Sequence, residues 1–349
     1  MNNKVLSVIV PVYNVEKYIS KCLDSLLISA DQLPLLDIVI VNDGTPDGSA
    51  EKAKKYENNY PGIFRVIDKE NGGHGSAWNR GIMEAKGKYL FFLDSDDWYD
   101  TQQFSQLVPF LAECKTDLVF VNWTKYYAYQ DKEVVINILN ITPNTVYDSD
   151  SFDWMNSGNG PHLTYATSCI YKTEILKENM PVFCEHVMYD DIILQVLPVV
   201  ESKNFLYTKL NIYHYLIGRP GQSFDPKVRA KRTSDVTTVL KQVLGFLKDK
   251  RGGIPESSTR KVWADFHYSA FATHHYDELS MLSYKESKKS LFDWDQYVKF
   301  TLPDIELTSL VRVYRQCPFF VYYAYYKTRD LMRRILMHLD IIKRNQLGR

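Results

Sequence analysis

Tyr89-Leu90-Phe91-Phe92-Leu93-Asp94-Ser95-Asp96-Asp97 sets an unbroken apolar run directly ahead of three carboxylates. An apolar run this short, bounded by polar residues, reads as a strand buried on both faces. Upstream the same unit recurs. Leu6-Ser7-Val8-Ile9-Val10-Pro11 is a strand closed by proline, and Ile19, Cys22, Leu23, Leu26 and Leu27 follow at helical spacing. Asp37-Ile38-Val39-Ile40-Val41-Asn42 is a second strand, and Asp43-Gly44-Thr45-Pro46-Asp47-Gly48 a turn leading into a helix over Ser49 to Tyr60. Phe64-Arg65-Val66-Ile67 is a third strand, Asn71-Gly72-Gly73-His74-Gly75 a flexible loop, and Ser76 to Ala85 a helix ended by Gly87. Strands alternating with helices predict an α/β fold, with a mostly parallel sheet, helices on both faces and right-handed crossovers. Ligands of such sheets bind beyond the carboxyl ends of the strands. Those ends carry Tyr13-Asn14, Asp43-Gly44 and Asp94-Ser95-Asp96-Asp97. Polar, carboxylate-rich tips therefore converge on one rim.

The 349 residues are enough for about two domains. With 45% hydrophobic and 24% charged residues the chain can bury a large core, which excludes a disordered or fibrous protein. Lysine plus arginine balance aspartate plus glutamate at 42 each, so no overall charge draws the chain to nucleic acid. Five scattered cysteines without a CxxC spacing argue against a disulfide framework or a zinc site and for reducing cytosol. The run Val5 to Val12 is too short for the core of a secretory signal, and no stretch approaches the roughly 20 apolar residues of a membrane span.

Beyond the first hundred residues, Asp117 to Asn122, Val134 to Ile141 (on an edge) and Thr167 to Tyr171 read as strands. From Lys227 onward the pattern turns helical, with Val236, Val239, Leu240, Val243, Leu244 and Leu247 on one stripe. A boundary near residue 225 divides the chain into a domain over 1–225 and a helical C-terminal region over 226–349. From Arg312 onward nine Lys/Arg face only two Asp/Glu. Leu331, Ile335, Leu339 and Ile342 share a helical face there, Arg329, Arg333, Arg334, Lys343 and Arg344 supply charge, and aromatics from Phe319 to Tyr326 precede them. That combination suits an anionic membrane surface, or a helix packed on the core with its charges solvated.

Asp94, Asp96 and Asp97 are hard oxygen donors of the kind that suit Mg²⁺ or Mn²⁺ when a substrate supplies phosphate oxygens. Aspartates after a strand serve equally well as the N-cap of a following helix. Three blocks in order, Ser7-Val8-Ile9-Val10-Pro11-Val12-Tyr13-Asn14, Val41-Asn42-Asp43-Gly44-Thr45-Pro46-Asp47-Gly48-Ser49 and Phe92-Leu93-Asp94-Ser95-Asp96-Asp97, resemble the successive motifs of family 2 glycosyltransferases. The resemblance is strong over residues 5 to 100 and thinner to 225. It implies a GT-A fold and an inverting transfer of a sugar from a nucleotide-diphosphate donor, UDP-linked, to a saccharide or lipid-linked saccharide in bacterial surface polysaccharide synthesis. It further implies a cytoplasmic location, peripheral at the inner face of the plasma membrane, and no nucleic-acid partner.

By position, the resemblance puts Pro11, Val12, Tyr13 and Asn14 in the nucleotide pocket and Asp43 on the base. Asp94 and Ser95 go to the ribose and sugar, and Asp96 to a Mn²⁺ or Mg²⁺ ion. An ordinary turn aspartate is the other reading of Asp43. Asn71 to Gly81 resembles a further block, where Gly73 permits close backbone approach to a ligand. Trp78 stands where many members carry arginine, and His74 reads as a loop residue rather than a ligand. Tyr189-Asp190-Asp191-Ile192-Ile193-Leu194 resembles the family's acidic pair, with Asp190 in place of glutamate and Asp191 as general base; a helix N-cap is the alternative. Tyr213 to Ser223 resembles a loop folded over the donor, where Arg219 grips diphosphate and His214 contacts metal or phosphate, or else an inter-domain connection. A nucleotidyltransferase and a non-catalytic nucleotide- or sugar-binding module are the competing functions. The absence of a Gly-rich, Lys-containing loop after the first strand speaks against the former.

Overall fold

Strand β1 (Leu6–Val12) is buried along its whole length, as is β2 (Leu36–Asp43). In the computed structural model, which describes residues 3–159, 164–179, 182–219, 232–303 and 309–328, these two strands form the centre of a parallel sheet. β1 runs beside β2 in register from Leu6 opposite Leu36 to Val12 opposite Asn42. β3 (Phe64–Lys69) extends the sheet parallel on the far side of β2, and β4 (Tyr89–Phe92) lies parallel on the other side of β1 with Ile9 opposite Phe92. Helices α1 (Ile19–Asp24), α2 (Ser49–Asn59) and α3 (His74–Glu84) make the crossovers. These registers bring the ends of β1, β2 and β4 to one edge, as the strand–helix alternation predicts.

The remaining strands are short or arrive late in the chain. β5 (Trp98–Tyr99) and α4 (Thr101–Glu113) follow β4 directly, with Asp100 capping α4 by accepting from the Gln103 N–H at 2.9 Å. β6 (Leu118–Tyr127), its antiparallel edge partner β7 (Lys132–Ile136), the two-residue β8 (Tyr147–Asp148), β9 (Cys169–Lys172) and β10 (Asn204–Ile217) complete the sheet. Its order is β3-β2-β1-β4-β9-β6-β10-β5, with β7 on β6 and β8 on β10. β9 is antiparallel to both neighbours, whereas β6 and β10 are parallel to each other. The sheet is therefore mixed and mostly parallel. α5 (Thr173–Asn179) and α6 (Leu197–Glu201) flank the last strands. α7 (Thr233–Arg251) buries the whole stripe from Val236 to Leu247 that its spacing predicts.

One expectation is corrected. Tyr213 to Ile217 is not part of a loop: it is the end of β10, paired with β5 and β6. Tyr213, His214 and Leu216 are buried there, and Tyr213 packs on Phe91 and Tyr99. Residues 220–223 of the expected loop lie outside the described residues. So do the boundary near 225 and the basic stripe from residue 329 onward.

The chain divides into two compact units, Met1–Phe266 and His267–Arg349. The second is helical and includes α9 (Tyr284–Thr301), α10 (Ser309–Gln316) and helical residues 319–328. α8 (Thr259–Ser280) supplies its Tyr276 and Ala272. Inside this unit Asp295 accepts from Tyr276 Oη and Arg315 Nε, both at 2.7 Å, and pairs with Lys299 Nζ at 2.7 Å. Burial alone would raise the Asp295 pKa; these three donors outweigh it and hold the carboxyl below its ordinary value.

At the end of the sheet opposite the rim, Asp37 is a buried carboxylate that accepts from Ser7 Oγ (2.7 Å), Arg65 Nε (2.8 Å) and the Lys86 N–H (2.9 Å). Ser7 Oγ in turn accepts from the Gly87 N–H at 2.8 Å. The turn into β4 is thereby pressed onto the start of β1. A Cβ on Gly87 would fall 2.3 Å from the Ser7 backbone nitrogen and 2.6 Å from the Leu6 carbonyl carbon. Backbone cannot rotate away as a side-chain tip can. Gly87→Ala is therefore expected to lower unfolding stability by about 2–3 kcal/mol. Urea denaturation measures this, and an unchanged midpoint would refute the close packing.

Candidate active site

The rim begins at the end of β2. Asp43 is 3% exposed, and its carboxylate is encircled by donors. Lys69 Nζ (2.6 Å) and the Gly72 N–H (2.9 Å) reach Oδ1, while the Gly73 N–H (2.8 Å) and Asn71 Nδ2 (3.1 Å) reach Oδ2. Gly73 holds φ +88°, a conformation favoured by glycine, and so can turn its N–H inward. The loop 71–75 is thus nailed to the sheet by Asp43 rather than flexible. The structure occupies this carboxylate with loop donors, and a contact with a base would have to displace them. Pro11 and Val12 are buried strand residues opposite Val41 and Asn42. Tyr13 is 51% exposed, and Asn14, at φ +54°, donates its N–H to Thr45 Oγ1 at 2.8 Å. Of the four residues expected to line the nucleotide pocket, these two carry the accessible side chains.

Beyond β4 the acidic run divides its labour. Asp97 is buried and accepts from Tyr213 Oη (2.6 Å) and the Leu216 N–H (2.7 Å), so it fastens β10 to the rim. Burial, reinforced by Asp96 and Asp94, pushes its pKa well above the ordinary carboxylate value. Ser95 is buried beside it. Asp96 is 13% exposed at its side chain and meets Arg219 Nε at 2.5 Å. Desolvation raises the Asp96 pKa, with the Arg219 charge opposing. Arg219 also lies 5.8 Å from the Tyr18 ring centre. The sequence expectation is that Arg219 grips diphosphate; in the structure its guanidinium is paired with Asp96.

His214 is placed elsewhere. Its ring stacks on Trp98 (centroids 5.4 Å, planes 15° apart), and its nearest carboxylate is Glu133, at 3.9 Å from Nε2. Burial lowers its pKa, and the charges acting on it are those of Glu133, Asp100 and Lys21. Among the described residues His214 has no contact with Asp96; it faces Trp98 and Glu133 instead.

The third acidic group comes from residues 183–191, which α3 holds in place. Asn79 exchanges two bonds with the Phe183 backbone (2.9 and 2.8 Å), and Ser76 Oγ donates to Glu185 Oε1 at 2.6 Å. The His186 N–H donates to the Gly72 carbonyl at 2.6 Å. Tyr189 adopts φ +68°, and a 3₁₀ turn, Asp190–Gln195, follows. Asp190 is 4% exposed and points at His74, the first residue of α3. His74 Nδ1 lies 3.2 Å from both Asp190 oxygens, and Nε2 lies 3.2 Å from Asp94 Oδ1. Desolvation would lower the His74 pKa, but the two carboxylates outweigh it and hold it well above its ordinary value. His74 is therefore a bridge between two motifs, not the loop residue the sequence predicts. No spacing rule announces a contact across 116 residues; the only local signal is the pair of glycines on either side of it.

Asp191 is open to solvent yet ringed by protein. Desolvation, then the charge of Asp190, push its carboxyl up to about 6, with His74 opposing. A carboxyl raised in this way can exchange a proton close to neutral pH. The remaining question for the rim is a divalent cation. Among the described residues no cluster of three or more His, Cys, Asp or Glu side chains is arranged to hold one. Mg²⁺-type ions, however, take one or two carboxylates and complete their shell from substrate phosphates and water. Asp96 already faces a cation, the Arg219 guanidinium, and its oxygen donors fit that use.

Over residues 7–177 the sequence matches the family described as Glycosyl transferase family 2. A 114-residue stretch is 44% identical to the uncharacterized glycosyltransferase EpsJ of Bacillus subtilis, covering 33% of this chain and 32% of that protein. The minor teichoic acid biosynthesis protein GgaB of the same organism is 28% identical over 256 residues, 71% of this chain and 27% of GgaB. The poly(ribitol-phosphate) beta-N-acetylglucosaminyltransferase TarS of Staphylococcus aureus is 24% identical over 222 residues, 62% of this chain and 36% of TarS. The chain thus spans about a third of the length of these relatives. Among solved structures, S. aureus TarS 1-349 in complex with UDP-GlcNAc superposes with a TM-score of 0.71 at 20% identity, covering 94% of this chain and 92% of that one. That likeness shows the shared GT-A-like fold. Over residues 7–177, just under half of its length, the chain is similar to glycosyl transferase family 2.

Proposed function

We propose that this chain is a metal-dependent, inverting glycosyltransferase that moves a sugar from a UDP-sugar to a saccharide or lipid-linked saccharide of a bacterial surface polymer. The observation that carries the proposal is the placement of Asp191: a solvent-reached carboxylate next to Asp190, which the His74 bridge ties to Asp94 at the end of β4. The names of two relatives, a minor teichoic acid biosynthesis protein and a poly(ribitol-phosphate) beta-N-acetylglucosaminyltransferase, support the acceptor class. The solved TarS complex with UDP-GlcNAc supports a UDP-linked donor.

In this reading Asp191 accepts the proton of the acceptor hydroxyl as that oxygen attacks the anomeric carbon. The bond from that carbon to the diphosphate breaks on the opposite face, so one displacement inverts the centre. UDP departs as an anion, and it needs charge neutralisation rather than a proton. Arg219 offers a planar pair of donors for that charge once it leaves Asp96. Asp96 would hold the Mn²⁺ or Mg²⁺ ion, which supplies Lewis-acid stabilisation of the diphosphate when bound. Tyr13 and Asn14 would flank the nucleotide. The acceptor sits at the cytoplasmic face of a membrane in this reading, reached through the basic, aromatic C-terminal segment. Exposed Phe320 and Tyr325 with Lys327 at its described beginning support this. Among the described residues no helix is long and apolar enough to cross a membrane.

Two measurements test the proposal. UDP-GlcNAc, UDP-glucose and UDP-GalNAc, each with Mn²⁺, are screened by thermal shift beside GDP-mannose. At saturating ligand, at least one UDP-sugar is expected to raise the melting temperature by about 2–4 °C, and EDTA to abolish the rise. No shift with any UDP-sugar would remove the donor assignment. Transfer is then followed as UDP release against pH. Asp191 serves only when deprotonated, so kcat/KM falls tenfold per unit below about pH 6 and is level above it. Asp191→Asn should abolish transfer while keeping the thermal shift. Turnover by that variant would exclude Asp191 as the base.

A further inference from the structure

His74 plays no part in the transfer as proposed, yet it contacts carboxylates of two different rim motifs. Its ring lies between Asp190, met through Nδ1 at 3.2 Å, and Asp94, met through Nε2 at 3.2 Å. An ionised carboxylate only accepts hydrogen bonds, so an imidazole between two of them must donate from both nitrogens. The surroundings fix the ring in that orientation. Trp78, one helical turn on, lies 4.2 Å from it between centroids and is itself wedged against Phe92 (4.3 Å) and Phe183 (5.2 Å). Gly75 clears the path: a Cβ there would fall 2.5 Å from Asp190 Oδ2. Upstream, the bond from the Gly73 N–H to Asp43 anchors the residue before His74.

We propose that His74 is a positioning residue that donates through both ring nitrogens and so fixes the Asp190–Asp191 turn against the end of β4. This rests on the reading of Asp191 as the base. Without the bridge, Asp190 and Asp94 repel each other, and Asp191 loses its set distance from the donor side of the rim. A glutamine in its place carries donors on one end of the amide and an acceptor on the other. It can satisfy one carboxylate while presenting its carbonyl to the second.

The test uses the full chain with Mn²⁺ and UDP-GlcNAc, or whichever UDP-sugar shifts the melting temperature. Nitrogen NMR of the His74 ring in the wild type at neutral pH is expected to show both nitrogens protonated. His74→Gln is expected to lose roughly tenfold or more in kcat, with KM for the donor within about threefold, because misplacement of a catalytic group costs rate rather than binding. Added imidazole is expected to restore part of the turnover of His74→Ala; a merely structural role gives no such rescue. One unprotonated ring nitrogen, wild-type kcat in His74→Gln, or no response of a folded His74→Ala to imidazole would each overturn the proposal. Should His74→Ala fail to fold, the ring spectrum and His74→Gln still decide. Should the wild type release no UDP from any UDP-sugar, the donor reading falls, and the ring spectrum alone rules on the bridge.

Discussion

Four donors closing on the buried Asp43 carboxylate hold the loop on which the rest of the rim depends. A buried aspartate is costly unless its lone pairs are filled and its charge is balanced. Here Lys69 supplies the charge, and Asn71, Gly72 and Gly73 fill the remaining positions. Two of the donors are backbone groups, so the carboxylate dictates the path of the main chain. That path ends at Gly73, and α3 begins at His74. The direction of the helix, the placement of Asn79 and Ser76, and with them the docking of residues 183–186, all follow from this anchor.

The rim also solves an electrostatic problem. Asp43, Asp94, Asp96, Asp97, Asp190 and Asp191 crowd one sheet edge. Lys69 answers Asp43, Arg219 answers Asp96, and His74 answers Asp94 and Asp190. Asp97 is held by neutral donors, Tyr213 Oη and the Leu216 N–H, and burial keeps its pKa high. Among the described residues Asp191 is the rim carboxylate left open to solvent without an ion pair at its oxygens.

Much of the parallel half is legible in the sequence because burial on both faces leaves unmistakable apolar runs. β1, β2, β3 and β4 fall where Leu6, Asp37, Phe64 and Tyr89 announce them, within a residue or two. β5 and β8 are two-residue strands with no periodicity to read. The end of β10 reads as a loop because Tyr213, His214 and Tyr215 look polar, although their rings pack inside. In the site, the acidic motifs are visible as local patterns. The loop-anchoring contacts of Asp43 are not, since they come from donors 26 to 30 residues downstream. Likewise His74 gains its partners from 20 and 116 residues away, distances at which no pattern in one sequence reports contact.

The order of the strands along the chain has a consequence for how such a molecule is born. β1 to β4 and their helices lie within the first 92 residues, so this half can assemble while the rest is still on the ribosome. The acids at 94 to 97 emerge next, but Asp190 and Arg219, which complete the rim's pairings, are synthesised about a hundred residues later. Until then Lys69 and His74 answer only part of that edge, and Asp96 stands without its Arg219 partner. Water and mobile cations must cover it, and assembly is completed by the segment that arrives last.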